Sequence, residues 1–219
     1  MQAAVTGRSS GRRRRIPGDQ RRETILIAAS RVFAKRGYDG TRTLELAESA
    51  GVSEALMYQH FRTKADLYHA ALIRSADLLD KRLKEATNSG APARERVEAS
   101  LNALLEFVAD PDNAWSVLTL HVADPDLAEH QRKLRGRAVA TLAGLLADDR
   151  QVARQGIPPR RLEQVAEMIA GAAESLAGWS QEHPRAKRDE LVALLAAFVR
   201  GGFERTLGVG SGRGKRRRP

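Results

Sequence analysis

The chain has 219 residues, no cysteine, and 37 basic against 27 acidic side chains, which gives a formal net charge of +10. This length suffices for one large domain or two small ones, and the lack of cysteine excludes disulfides and zinc–thiolate sites. No apolar run approaches the roughly 18 residues of a membrane span, and no apolar segment follows the N-terminal arginines as in a secretory signal, so we expect a cytoplasmic protein.

The positive charge is concentrated at the two ends of the chain. Residues 1–22 hold seven arginines and one aspartate, and residues 208–219 hold four arginines and one lysine. Residues 23–207 contain 25 basic and 26 acidic side chains. Both ends are poor in apolar groups, so we predict a disordered arginine-rich arm over 1–18 and a disordered basic tail over 208–219.

The basic ends suit contact with the phosphates of a nucleic acid. The arm has four consecutive arginines for this role: Arg12, Arg13, Arg14 and Arg15. The alternative is that the ends serve only solubility, or have no selected role.

The first four predicted helices fall between residue 19 and about residue 86. The first begins at Asp19 or Gln20, with Asp19 as a candidate N-cap, and stops at Gly37. Thr63 and Asp66 form a capping-box pattern at the start of the fourth. The four helices span about 19–36, 43–50, 53–60 and 63–86.

A helix-turn-helix is predicted within Thr41 to Lys64. A short apolar helical face ends at Ala50, and Gly51 suits the turn because it tolerates positive φ. Ser53 can cap the second helix of the motif, whose N-terminal residues would lie nearest the base edges in a DNA major groove.

The rest of the chain is predicted to be helical, and no alternating strand pattern of useful length occurs. Gly144 and Asp148–Asp149 are candidate breaks within the longest predicted helix. The later helices span about 93–109, 113–122, 127–155, 160–183 and 186–206.

The order of these features resembles the DNA-binding domain of the TetR family of bacterial transcriptional regulators, with strong similarity from about Arg22 to Ala70. It implies an all-α fold of about nine or ten helices. The helix-turn-helix DNA-binding domain would cover 19–70, and a larger helical ligand-binding and dimerisation domain would cover 71–207. The matching residues are Gly37-Tyr38, Thr41, Leu46-Ala47, Ala50-Gly51-Val52-Ser53, Tyr58, His60-Phe61, Lys64 and Leu67.

The resemblance implies two sets of contacts with double-stranded DNA. Tyr58, His60 and Lys64 match family positions that usually touch the phosphate backbone. Base reading would fall to the exposed face of the third helix and the start of the second: Arg42, Thr43, Leu44, Ser53, Glu54, Ala55, Leu56 and Gln59. Leu44, Glu54, Ala55 and Leu56 depart from the common family pattern. Because residues 23–70 hold six basic and six acidic side chains, we expect the arms to supply much of the affinity.

The last two predicted helices carry a pattern suited to a partner. Small side chains on one and a broad apolar face on the other allow close helix approach, although a monomer core would look similar. The resemblance implies that they pair with their two-fold mates as a four-helix bundle, which gives a homodimer. The candidate interface residues are Ala170, Gly171, Ala177, Gly178, Leu191, Leu194, Leu195 and Phe198.

The resemblance also implies a ligand pocket among the middle helices, although ordinary core is an alternative for each lining residue. Few charges fall on the apolar faces, which favours an apolar or aromatic effector, and His121 could hydrogen-bond it. The candidate lining residues are Leu101, Leu105, Trp115, Leu118, His121, Met168, Ala172, Leu176 and Trp179.

Three functions compete at this stage. The first is a homodimeric repressor that a small effector releases from a palindromic operator. The second is an architectural DNA-binding protein that uses its basic arms and has no inducer. The third, an enzyme, lacks support because the sequence contains no nucleophile–base pair, metal-ligand spacing or glycine-rich phosphate loop, and we expect no cofactor.

Overall fold

The structure is a computed structural model, and it describes residues 17–88, 91, 93–148 and 150–207. All regular elements in this part of the chain are helical, which confirms the predicted all-α class. The predicted contacts of Arg12, Arg13, Arg14 and Arg15, and those of the basic tail, lie outside the described residues.

Ten α-helices and one short 3-10 turn follow one another along the described residues. They are α1 (Gly18–Arg36), α2 (Thr43–Ser49), α3 (Glu54–His60), α4 (Lys64–Thr87), α5 (Ala93–Ala109), the 3-10 turn (Pro111–Asn113), α6 (Trp115–Thr119), α7 (Pro125–Ala147), α8 (Arg150–Gln155), α9 (Pro159–Glu182) and α10 (Arg188–Leu207).

The first hydrophobic core lies beneath the predicted helix-turn-helix. Its members from α1 to α4 are close to fully buried and include Ile25, Phe33, Leu46, Met57 and Leu67. Residues far along the chain complete this core: Ala114, Val117, Val122 and Leu127. The packing of the helix-turn-helix therefore depends on α6 and on the start of α7.

The second core lies among α5, α7, α9 and α10. It is built mainly from leucine, valine and small residues, with Phe107 and Trp115 as its aromatic members. Leu78 and Leu79, from the second half of α4, pack against it. Helix α4 thus contributes to both cores, its first half to one and its second half to the other.

The local signals at the helix-turn-helix are confirmed. The Ser53 hydroxyl accepts a hydrogen bond from the Leu56 N–H at 3.2 Å, and that of Thr63 accepts from the Asp66 N–H at 3.0 Å. Gly51 has φ +66°, in the left-handed region. The predicted Asp19 cap is wrong, because α1 begins at Gly18 after Pro17.

The connection between α5 and α6 differs from the predicted helix over 113–122. Asn113 closes the 3-10 turn and its side-chain amide donates to the Phe107 carbonyl at 3.0 Å. Ala114 follows in the left-handed conformation (φ 52°), which costs a non-glycine residue about 1 kcal/mol. Helix α6 covers only Trp115–Thr119, so His121 lies beyond its end and is exposed.

The long predicted helix over 127–155 is interrupted. Helix α7 ends at Ala147, α8 begins at Arg150, and the break coincides with the candidate Asp148–Asp149, of which Asp149 is not described. No helix within the described ranges is both long and apolar enough to cross a membrane.

We predict that Gly51→Ala destabilises the protein by about 1 to 2 kcal/mol, because alanine pays a steric cost in the left-handed conformation. A Cβ at Gly51 would meet no atom within 4 Å, so the backbone angle alone causes the loss. Gly136→Ala is the matched control, since its Cβ also meets nothing within 4 Å and it lies inside α7.

In urea unfolding, Gly136→Ala is expected to raise the free energy of unfolding by about 0.5 to 1 kcal/mol, since alanine is the better helix former. A change of the same sign in both variants would contradict this account of the turn.

Candidate DNA-binding surface

Helix α3 packs against the first core on one side and is accessible to solvent on the other. Met57 is 1% exposed and fixes the helix against the first core. On the outer side, Ala55 and Gln59 are exposed and Tyr58 is 41% exposed. One side of α3 therefore carries a set of accessible side chains along the helix.

Helix α2 packs beside α3, and the start of α2 adds a second set of accessible residues. Leu44 is 54% exposed, and the Arg42 side chain is exposed while its N–H donates to the Glu45 carboxylate at 3.4 Å. The DNA contacts predicted from the sequence divide by exposure into two sets. The exposed residues are Arg42, Leu44, Ser53, Ala55, Tyr58 and Gln59. The partly buried residues are Thr43, Glu54, Leu56, His60 and Lys64.

The Lys64 ammonium group bonds within the protein. Its Nζ donates to the carbonyls of Tyr38 at 3.0 Å and Thr41 at 3.1 Å, and it lies 4.3 Å from the centre of the Tyr38 ring. Two of its three N–H groups are thus used to hold the α1–α2 connection, which leaves one for a phosphate. In this structure Lys64 fixes the loop that precedes α2.

An aromatic cluster supports this loop from inside. The rings of Phe33, Tyr38 and Tyr68 meet edge to face or tilted, and those of Tyr38 and Tyr68 are 5.1 Å apart. The Tyr68 hydroxyl donates to the Val117 carbonyl at 3.2 Å. Burial, with a smaller contribution from Asp39, raises the pKa of Tyr68 to about 12, so the phenol stays protonated as a donor.

Arg22 is a cation near α3 that sequence reasoning did not single out. It extends from the first turns of α1, and its guanidinium lies 4.6 Å from the centre of the Phe61 ring, at the C-terminal end of α3. The ring holds the cation beside the C-terminal end of α3. No local signal relates positions 22 and 61, so only the fold brings them together.

The residues predicted to line a pocket separate into two groups. Leu101, Leu105 and Trp115 are 4–6% exposed within the second core, and Leu118, Ala172 and Leu176 pack against it. In contrast, Met168 is 58% exposed, Trp179 is 43% exposed, and His121 is also exposed. These last three lie on the surface and do not share an interior space with the first group.

The clearest hollows among the described residues are shallow grooves. One of about 430 Å³ lies between α4 and α5, and one of about 320 Å³ lies between α5 and α10. Neither includes a residue predicted to line the pocket. Leu101, Leu105 and Trp115 are instead packed within the second core.

The outer face of α9 and α10 carries large apolar side chains in water. Leu194 is 63% and Phe198 is 69% exposed, and Met168 and Trp179 add to this face from α9. Other predicted interface residues face inward: Ala177, Leu191 and Leu195 are buried in the second core, and Ala170, Gly171 and Gly178 are partly buried. We call the set Met168, Trp179, Leu194 and Phe198 the outer apolar face.

Two histidines that are distant in sequence meet between α4 and α7. The rings of His69 and His130 are 4.3 Å apart, and burial together with His130 lowers the pKa of His69. Within the described part of the chain, no group of three or more His, Cys, Asp or Glu side chains could hold a metal ion.

Two sequence families match this chain in succession. The family described as bacterial regulatory proteins, tetR family, matches residues 25–71. The family described as the tetracyclin repressor-like C-terminal domain matches residues 93–202. The two matches together cover the helix-turn-helix and both hydrophobic cores.

Individual proteins give the same result over most of the chain. The HTH-type transcriptional activator FasR of Mycolicibacterium smegmatis is 29% identical over 200 residues, which is 89% of each chain. A TetR-like transcriptional regulator from Rhodococcus sp. RHA1 has the same fold, with a TM-score of 0.74, 24% identity, and coverage of 86% of this chain and 98% of its own. FadR of Bacillus subtilis, in complex with stearoyl-CoA, has a TM-score of 0.69 at 20% identity and covers 86% and 99%.

We predict that Lys64→Met lowers the free energy of unfolding by about 1 to 2 kcal/mol, because two carbonyls lose a charged donor. Arg62→Met is the control, since Arg62 is an exposed cation two residues away, and its loss is expected to change stability by less than about 0.5 kcal/mol. Urea unfolding measures both. Equal stability of Lys64→Met and the native chain would show that these bonds contribute nothing to the loop.

Proposed function

The chain belongs to the TetR family of bacterial transcriptional regulators, and from this premise we propose that it is a homodimeric repressor, released from a palindromic operator by a small, largely apolar effector. The observation that carries the proposal is α3 itself. Its Met57 side is locked in the core, while Ala55, Tyr58 and Gln59 remain accessible at the face that would enter a major groove.

The outer apolar face supports the homodimer. Phe198 and Leu194 expose more than three fifths of their surfaces in the single chain, and burial of such side chains is a main source of association free energy. A two-fold dimer also matches the symmetry of a palindromic operator, since its two copies of α3 must meet half-sites about one helical turn apart.

The apolar composition of the second core supports an effector that is apolar. Leu101, Leu105 and Trp115 surround the region where a ligand would displace side chains, and all three are apolar or aromatic. The neighbour from Bacillus subtilis holds stearoyl-CoA, so a long acyl group is the first class of effector to examine.

Helix α4 packs in both cores, so it offers a route by which an effector would release the protein from DNA. The helix packs in the first core near Leu67 and Leu72 and against the second core at Leu78 and Leu79. Expansion of the second core by a ligand would tilt α4 and change the separation of the two recognition helices. A ligand produces this shift only through its different affinity for the two arrangements.

The same tilt of α4 would serve activation as well as repression. The relative from Mycolicibacterium smegmatis is named an activator, whereas our proposal is a repressor. The sign depends on where the operator lies relative to the promoter, and the protein's own geometry is common to both outcomes.

The charge distribution favours one second candidate, an architectural DNA-binding protein. Residues 1–22 and 208–219 carry the whole positive excess, while residues 23–207 hold 25 basic and 26 acidic side chains. In this alternative the ends supply sequence-independent binding with a steep salt dependence. The named relatives are transcriptional regulators, and we propose no enzymatic activity.

We expect selection of bound duplexes from a random pool by the full-length protein, at about 0.15 M salt, to enrich a palindrome whose half-sites are about 10 bp apart. A chain of residues 17–207 should retain the same preference with weaker binding. Tight, salt-sensitive binding without any enriched motif, lost in the shortened chain, would instead establish the architectural function.

We expect Phe198→Glu to weaken dimerisation at least about a hundredfold, because an unpaired charge would be buried in the interface. Ile73→Glu is the matched control, since Ile73 is 40% exposed on α4, away from the outer apolar face. Sedimentation equilibrium measures the dissociation constants of both variants. A Phe198→Glu chain that dimerises like the native one would remove this face from the interface.

A further inference from the structure

We propose that Asp112 is a positioning residue that couples the side-chain packing around Trp115 to the setting of α1 and α4, and hence to DNA binding. The inference rests on the proposed regulatory function and names a contact through which it operates. Asp112 lies in the 3-10 turn between α5 and α6, outside both the helix-turn-helix and the interior of the second core.

Asp112 is held by two helices of the DNA-binding half at once. Its carboxylate accepts a hydrogen bond from the Arg31 guanidinium of α1 at 2.6 Å. Its backbone carbonyl accepts one from the Arg74 guanidinium of α4 at 3.1 Å. Arg74 also pairs with Glu23 of α1 at 2.9 Å, so the two arginines join α1, α4 and the turn in one network.

The residues after Asp112 lead directly into both cores. The Asn113 side chain is tied to the end of α5 through the Phe107 carbonyl, and Ala114 is in the left-handed conformation. Trp115 then enters the second core, where its ring meets that of Phe107 edge to face at 6.4 Å. A displacement of the Trp115 side chain is therefore expected to move the turn.

Helix α6 is too short to absorb such a displacement. It has five residues, with Trp115 in the second core and Val117, about half a turn later, in the first. The left-handed Ala114 holds the chain in one sharp bend at the start of this helix. Motion at Trp115 thus reaches Asp112 on one side and Val117 on the other.

The contribution of the Arg31–Asp112 ion pair to the free energy of folding does not measure its proposed role in coupling. The two side chains are 50% and 46% exposed, and exposed pairs contribute little to the free energy of folding. The hydrogen bond with Arg31 lowers the pKa of the Asp112 carboxyl. Coupling between the two halves is the quantity to measure.

The two tryptophans of the chain allow that measurement on the full-length protein. Incorporated fluorotryptophan gives one fluorine NMR signal from Trp115, beside the turn, and one from Trp179, on the outer apolar face; a Trp179→Phe chain assigns them. The signals are recorded with and without saturating DNA in the native chain and in the variants R31Q, D112N and R31Q/D112N. Asp80→Asn is the control, since Asp80 is an exposed carboxylate paired with Lys84 inside α4 alone.

We expect saturating DNA to shift the Trp115 signal in the native and Asp80→Asn chains. The shift should fall to less than roughly half in R31Q and in D112N, with no further loss in the double variant, as expected for residues that act through one contact. The reversed pair R31E/D112R should recover the response, which a variant with a mere folding defect would not do.

Two results would overturn the inference. One is that bound DNA does not shift the Trp115 fluorine signal in the native chain, and the other is that the shift in R31Q and D112N is as large as in the native chain. The measurement uses the duplex enriched by selection and also a mixed-sequence duplex at low salt, which binds through phosphates in either case. A selection that enriches no duplex would count against the proposed operator specificity, and the response to the mixed-sequence duplex would still test Asp112.

Discussion

The Tyr68 hydroxyl is buried among rings and must have a hydrogen-bond partner, because an unpaired buried hydroxyl costs about 1 to 3 kcal/mol. Tyr68 is 1% exposed, and its partner is the Val117 carbonyl of α6, at 3.2 Å. Gln131 of α7 donates to the same carbonyl at 2.8 Å. Three helices are thereby fixed at one point beneath the helix-turn-helix, and α4 cannot turn there without breaking these bonds.

This constraint means that the two halves of the chain do not pack as independent units. Val117, Val122 and Leu127 complete the core of the helix-turn-helix, although they follow it by more than 50 residues. In return, Leu78 and Leu79 of α4 pack against the second core. A perturbation of either core must therefore be shared by α4 and α6, which is the route that the proposed regulation would use.

The elements that the sequence predicts well are those with local causes. Gly51, Ser53 and Thr63 act on backbone groups within three residues of themselves, so the turn and the two caps can be recognised without the fold. The carbonyl partners of Lys64 lie 26 and 23 residues away, and no pattern in the sequence relates them. Lys64 was therefore predicted as a phosphate contact, while its bonds within the protein were missed.

Apolar periodicity has a similar limit, since it identifies a face of a helix and not what covers it. The spacing on α10 includes Leu195, which is 5% exposed, and Phe198, which is 69% exposed. The helix predicted over 113–122 fails for another reason, because alanine gives no sign of a left-handed conformation. Ala114 adopts it between Asn113, which bonds to the end of α5, and Trp115, which packs in the second core.

The charges of the DNA-binding half indicate that affinity for DNA and recognition of its sequence come from different residues. Residues 23–70 have equal numbers of acidic and basic side chains, and Glu45 pairs with Arg36 at 3.1 Å. The accessible positions beside α3 include Leu44 and Ala55, which suit contact with thymine methyl groups. Phosphate attraction then depends on few cations: Arg42 within this surface, Arg22 beside Phe61, and the basic ends of the chain. Because salt screens the phosphate contacts and not the apolar ones, raising the ionic strength should weaken binding to all duplexes while the preference among them persists.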